Sequence, residues 1–231
     1  MEIMDVKNDS ESEGSEPKEQ TQQRQRYLSP PGLTHLFNSP KFSDFTIFVE
    51  GRMFHAHKAI LSCYSAYFYN LFKSDWKETA SNTITLTDDN PYAVEAMLQH
   101  LYGMDYIVAY HPGLSIELFD AKVYAIAEKF GIPSLKDEVK TMFTSQVKET
   151  WNSEDFPPAV AEVYATTPQT DRGLRDVVTD VACEHIKDLL KKEDFVQAVL
   201  EGDGFVIDLL SRLNDKLELQ KRFSGGLISD R

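Results

Sequence analysis

The chain has 231 residues and 42% apolar content, enough to build a sizeable core. Its formal net charge of −13 argues against a nucleic-acid footprint, since binding phosphate needs clustered Lys and Arg, and disfavours docking on an anionic membrane. Two distant cysteines, Cys63 and Cys183, make no disulfide framework; with no apolar leader and no stretch of membrane-spanning length, the expected setting is reducing, nucleus or cytoplasm.

Residues 1–27 are rich in Glu, Ser, Gln and Lys and are expected to be a disordered acidic tail, because they hold too little apolar surface to offset the entropy of ordering. Pro30-Pro31-Gly32 opens the folded part. Leu33, Leu36 and Phe37 follow at helical spacing, on a segment stopped by Pro40 and too short to stand alone. It must pack on its own core or on a partner chain.

The richest stretch runs from Phe42 to Glu78. Phe45, Ile47 and Val49 alternate with Thr46, Phe48 and Glu50, the period of a strand. Gly51-Arg52 signals a turn, and Met53-Phe54-His55 a return strand. From His57 the period becomes helical: Ile60, Leu61, Tyr64, Phe68, Leu71 and Phe72 mark a buried face of a helical pair. Cys63 lies inside this run and is expected to be buried and inert, whereas Tyr67 and Tyr69 are candidates for a surface. His55-x-His57 invites a metal check, but no Cys or carboxylate completes a ligand set at a recognised spacing, so no metal is expected.

Further on, Thr83-Ile84-Thr85-Leu86 alternates as a strand. Asn90-Pro91 starts a helix carrying Val94, Met97, Leu98 and Leu101, and Gly103 ends it. Tyr106-Ile107-Val108 reads as a short strand. Phe119, Val123, Ile126 and Phe130 form the next stripe, stopped by Gly131, and Ser134 with Asp137 resembles a capping box. Asp88, Asp89 and the many Glu residues are expected at caps and on solvated faces. Beyond Trp151 the pattern is wholly helical: Phe156, Val160, Val163 and Tyr164 after Pro157-Pro158, then Leu174, Val177, Val178, Val181, Ala182, Ile186 and Leu189. Phe195, Val199, Val206, Leu209, Leu210, Leu213 and Leu217 complete the expected apolar faces. Residues 222–231, with Gly225-Gly226, read as a flexible tail.

These motifs carry a resemblance. Asp44 before the first strand, then Phe54, Ala56-His57-Lys58, Leu61, Ser65, Phe68 and Phe72, resemble the BTB/POZ domain over residues 33 to 143, roughly half the chain. The resemblance implies an α+β fold, a helical cluster flanked by a small mixed sheet, followed here by an all-α extension. The expected division is 28–147 for the domain, 148–221 for the extension and 222–231 for the tail. It also implies a non-catalytic protein-interaction module, usually homodimeric, with no cofactor. Leu33, Leu36, Phe37, Asp44, His57 and Lys58 fall where such a dimer is made. Asp44 and Lys58 either line a pocket there or form an exposed ion pair worth about 0–1 kcal/mol.

Trp76-x-Glu78 stands where many members carry an apolar-x-Glu motif that contacts the cullin scaffold of ubiquitin ligases. Trp replaces the more common Met or Leu. With Asp75 and Tyr69 these residues form the expected cullin face, since Trp suits a desolvated anchor; the alternative is a Trp76 folded back on the core and a solvated Glu78. The implied partners are a second copy, a cullin scaffold and an unidentified protein substrate, with neither nucleic acid nor membrane. A scaffold or transcriptional co-regulator without a ligase link is the competing reading. G-x-G-x-x-G, G-x-x-x-x-G-K-[ST], G-x-S-x-G and H-E-x-x-H patterns are absent, and Glu201-Gly202-Asp203-Gly204 is too short and acidic to cradle phosphate.

Overall fold

The structure, a computed structural model, describes residues 32–74, 81–201 and 204–225. The expected acidic tail, the Asp75, Trp76 and Glu78 set, and the last residues of the chain lie outside them. The alternating stretch forms β1 (Phe45–Val49) and β2 (Arg52–Ala56), antiparallel, with Phe45 opposite Ala56 and Val49 opposite Arg52. The two loop residues, Glu50 at φ 41° and Gly51 at φ 75°, both take the left-handed conformation of the tight turn that matches strand twist. β3 (Thr83–Leu86) adds to the other edge of β1 in parallel, giving a mixed sheet of order β2-β1-β3. Its buried face carries Phe45, Ile47, Val49, Phe54, Ile84 and Leu86.

The apolar helical run divides at Ser65 into α1 (Lys58–Tyr64) and α2 (Ala66–Lys73). Ser65 is extended and caps α2: its Oγ accepts the Phe68 N–H at 3.1 Å and donates to the Phe130 carbonyl. Phe68 then stacks on Phe130 at 5.3 Å and on Phe72 at 5.8 Å. Cys63 is exposed, contrary to expectation. It lies two residues, about 200° around the helix, from the buried Leu61, so it points away from the core.

α3 (Pro91–Leu101) starts as expected, with Asn90 Oδ1 accepting the N–H groups of Tyr92 at 3.0 Å and Ala93 at 3.1 Å, and it ends at Gly103 with φ 77°. The segment Tyr106–Ala109 is a 3-10 turn rather than a strand. Asp105 accepts the Ile107 N–H, and Tyr106 turns inward to 1% exposure. α4 (Ile116–Lys129) is capped by Ser115 and closed by Gly131 at φ 62°. α5 (Pro133–Thr150) begins directly after Ile132, so Ser134 is not its cap; its Oγ pairs instead with His100 Nε2 at 2.9 Å.

The extension comprises α6 (Phe156–Thr166), α7 (Arg172–Glu184), the single turn α8 (Ile186–Leu189), α9 (Glu193–Glu201) and α10 (Phe205–Gly225). α10 reaches into the stretch expected to be a tail. One continuous core runs from Phe45 to Leu209, so the extension packs on the domain and shares its interior. Three expectations change. The stripe on α7 breaks at His185. Leu210 and Leu217 are 60% and 55% exposed, because α10 is anchored only through its first half, by buried Phe205 and Leu209. Asp89 and Glu117 are buried rather than solvated: both Asp89 oxygens take the Lys129 ammonium at 2.7 Å.

Candidate functional site

The residues expected at a dimer face gather around the N-terminus of α1. His57, the residue before the helix, offers no side-chain cap of its own. Asp44 supplies it from across the sheet, its Oδ1 accepting the Lys58 N–H at 2.7 Å. The carboxylate thus meets the backbone of Lys58 rather than its ammonium, which donates to Asn82 Oδ1 and lies 5.5 Å from the Phe72 ring centre.

His57 is 6% exposed and bonded on every side. Its backbone N–H donates to the Tyr102 oxygen at 3.1 Å, and its ring joins Tyr102 Oη at 2.7 Å through Nδ1 and the Lys41 carbonyl at 2.9 Å through Nε2. A carbonyl only accepts, so Nε2 carries the proton and the Tyr102 hydroxyl donates to Nδ1. Burial pushes the Tyr102 hydroxyl up to about 12; the His57 N–H opposes that shift and the Asp44 charge adds to it. Phe37 sets its ring edge against Tyr102 at 6.0 Å, so the short turn Leu33–Leu36 is tied to the same cluster, with Leu33, Leu36 and Phe37 half-buried.

The domain also exposes apolar residues that the sequence did not single out. Phe42 is 76% exposed in a left-handed conformation at φ 62°. Phe48 and Met53, cross-strand neighbours on the open face of the hairpin, are 37% and 48% exposed. The alternation in β1 already placed Phe48 on that face. Of the residues expected at the cullin face, the structure places Tyr69, which is 53% exposed midway along α2 with the Lys73 ammonium 5.7 Å from its ring centre. Among the described residues, no group of three His, Cys, Asp or Glu is arranged to hold a metal ion. No helix among them is long and apolar enough to cross a membrane.

A second polar network joins domain to extension. Tyr124 on α4 donates to Asp171 at 2.9 Å, Asp171 caps α7 through the Gly173 N–H at 3.0 Å, and the Lys136 ammonium of α5 stands 2.7 Å from Asp171 Oδ2. Lys122 pairs with Glu162 at 2.8 Å, and Trp151 stacks face to face on His185 at 3.8 Å. Arg175, 5% exposed, lies over the Tyr164 ring and donates to the carbonyls of Tyr164 and Thr167, closing the C-terminus of α6 where the helix dipole favours a cation.

The mixed sheet β2-β1-β3 flanked by helices defines an α+β fold. The BTB/POZ domain profile matches residues 33–147, and the chain belongs to that family. It resembles Kelch-like protein 41b of Danio rerio at 33% identity over 123 residues, 51% of this chain and 19% of the relative. TD and POZ domain-containing protein 1 of Mus musculus is 31% identical over 111 residues, 48% of this chain and 29% of the relative. Kelch repeat and BTB domain-containing protein 4 of Homo sapiens is 27% identical over 156 residues, 67% of this chain and 26% of the relative. The chain therefore spans less than a third of the length of these relatives. Its BTB domain is a protein-interaction module, a kind that is typically non-enzymatic.

Proposed function

We propose that this chain is a nuclear or cytoplasmic adaptor that dimerises through its BTB domain and recruits a cullin-based ubiquitin ligase to a protein substrate. Its working parts are the domain, residues 28–147, and the helical extension, 148–221. The observation that carries the reading is Tyr69, 53% exposed on α2 one turn before the helix ends and the segment holding Asp75, Trp76 and Glu78 follows. An aromatic left in water suits an anchor that is desolvated on binding. The dimer would use Leu33, Leu36 and Phe37 with the Asp44, His57 and Lys58 cluster, and exposed Phe42 adds apolar area beside it. The mechanism is proximity, with no bond made or broken by the chain itself.

The test is co-purification with cullin scaffold proteins. Wild type should retain a cullin, and the double variant Trp76→Ala, Glu78→Ala should lose it with an unchanged melting temperature. A wild type that retains none, or a double variant that retains as much, overturns the ligase link. The scaffold or co-regulator reading, without a ligase, then takes its place; Trp76 in the position more often held by Met or Leu is the feature that favours it.

A further inference from the structure

Two carboxyl groups are buried one turn apart on α4, and among the described residues neither is bonded by a cation. Asp120 is 1% exposed. Its Oδ1 accepts the Tyr106 hydroxyl at 3.0 Å, and its Oδ2 has no hydrogen-bond partner among the described residues. Glu117 is 3% exposed and accepts the Thr150 hydroxyl at 2.6 Å. The charges that bear on the site are Asp105 at the 3-10 turn, Glu117 on α4 and Glu138 on α5, the last of which pairs with His100 on α3 at 3.1 Å. Among the described residues, no Lys, Arg or His bonds either carboxyl. An ionised carboxylate with one hydrogen bond and no counter-ion is costly away from water, whereas a neutral acid is tolerated.

The site sits where it can act on a surface. Tyr106 belongs to the 3-10 turn Tyr106–Ala109, which is held to α4 by the bond to Asp120 and by the stacking of Tyr106 on Phe119 at 6.3 Å. The turn presents Val108, 63% exposed, and leads to Tyr110, which lies edge-on to Phe119. An open cleft of about 530 Å³, lined by Tyr110, Ser115, Glu117 and Thr150 among others, reaches Glu117, one turn before Asp120 on α4.

We propose that Asp120 is a proton-dependent latch on this turn: protonated, it holds Tyr106–Ala109 against α4, and ionised, it draws water in and releases the turn with Val108 and Tyr110. Burial pushes the Asp120 carboxyl up to about 7; the Tyr106 hydroxyl opposes the shift and the Glu117 charge adds to it. Opening lets the group return to its ordinary value of 3.8. Closure is therefore strongest below about pH 4, weakens as pH rises towards 7, and changes little above that. The latch thus responds to acidification below about pH 7, and it does not depend on the ligase reading.

Hydrogen exchange of amides 105–114 in the full chain, corrected for intrinsic exchange, tests this. Protection in wild type should fall by roughly tenfold per pH unit between pH 5 and 7 and then level off. Asp120→Asn should flatten that profile. A flat wild-type profile, or the same slope in Asp120→Asn, overturns the proposal. Carboxyl carbon NMR of wild type needs no variant: an Asp120 midpoint near neutrality supports the latch, and one near 4 sinks it.

Discussion

A Cβ placed on Gly173 would stand 1.8 Å from the hydroxyl oxygen of Tyr124 and 2.9 Å from the ring carbon that bears it. The first turn of α7 thus lies directly on a tyrosine of α4, and the domain–extension junction is closed by a missing side chain. In an open helix, Gly→Ala would stabilise by about 1 kcal/mol. Here the clash reverses the sign and breaks the Tyr124–Asp171 bond. Gly173→Ala should destabilise by about 1–3 kcal/mol in urea unfolding. In a Tyr124→Ala background the added penalty should vanish, a non-additivity that a double-mutant cycle measures directly.

Arg175 should tolerate no replacement, Lys included. Its guanidinium reaches Thr167 Oγ1 at 3.0 Å and two carbonyls at once, and one ammonium cannot span that set. Arg175→Lys should lower stability by about 2–4 kcal/mol, with unpaired carbonyls left at the end of α6. Thermal unfolding of the variant checks this.

Asp171 predicts an acid limb. Burial works against its charge, but the Lys136 ammonium, the Gly173 N–H and the Tyr124 hydroxyl outweigh it and hold the carboxyl below its ordinary value. A group depressed on folding stabilises above its unfolded value and loses that contribution as pH falls through the folded one. The stability gap between wild type and Asp171→Asn should therefore be full at pH 6 and shrink below about pH 4. A gap independent of pH would remove Asp171 from the account.

Asp44 separates capping from pocket chemistry. Asp44→Ala should cost about 1 kcal/mol through the lost cap on α1. Asp44→Asn keeps an acceptor and should cost only a few tenths. If the charge also serves a dimer pocket, the Asn variant alone should weaken self-association in sedimentation while remaining folded.

Native chain should show one fast thiol. Cys63 is exposed and Cys183 is 5% exposed. A thiol reagent should label Cys63 within minutes and Cys183 only on unfolding. Cys63→Ser should abolish the fast phase.

The elements legible in the sequence were those whose signals are local. The hairpin shows in the alternation from Phe45 to Val49, and the start of α3 in Asn90-Pro91. The breaks at Gly103 and Gly131 show as well, because left-handed backbone selects glycine. Ser134 was misread because a Ser three residues before an Asp satisfies the capping pattern wherever the helix starts, and here His100 claimed the hydroxyl. Tyr106-Ile107-Val108 looked extended because Ile and Val favour strands, yet no neighbouring strand pairs with it among the described residues, and burial of Tyr106 won.

Of the candidate site, the sequence carried the residues and their order: Asp44, His57, Lys58 and the turn with Leu36 and Phe37. It did not carry their partners. Nothing near Asp44 says that it caps a helix starting at Lys58, nor that His57 surrenders both ring nitrogens to Tyr102 and Lys41.

By itself, the sequence determined the family, the α+β class and which faces are apolar, since periodicity and turn chemistry act over a few residues. Only the tertiary structure decided that Gly173 must lack a side chain beneath Tyr124, that Asp120 lies buried without a cation, and that Cys63 faces water. Those properties belong to pairs of residues brought together by packing, and burial and electrostatics depend on what arrives from the rest of the fold.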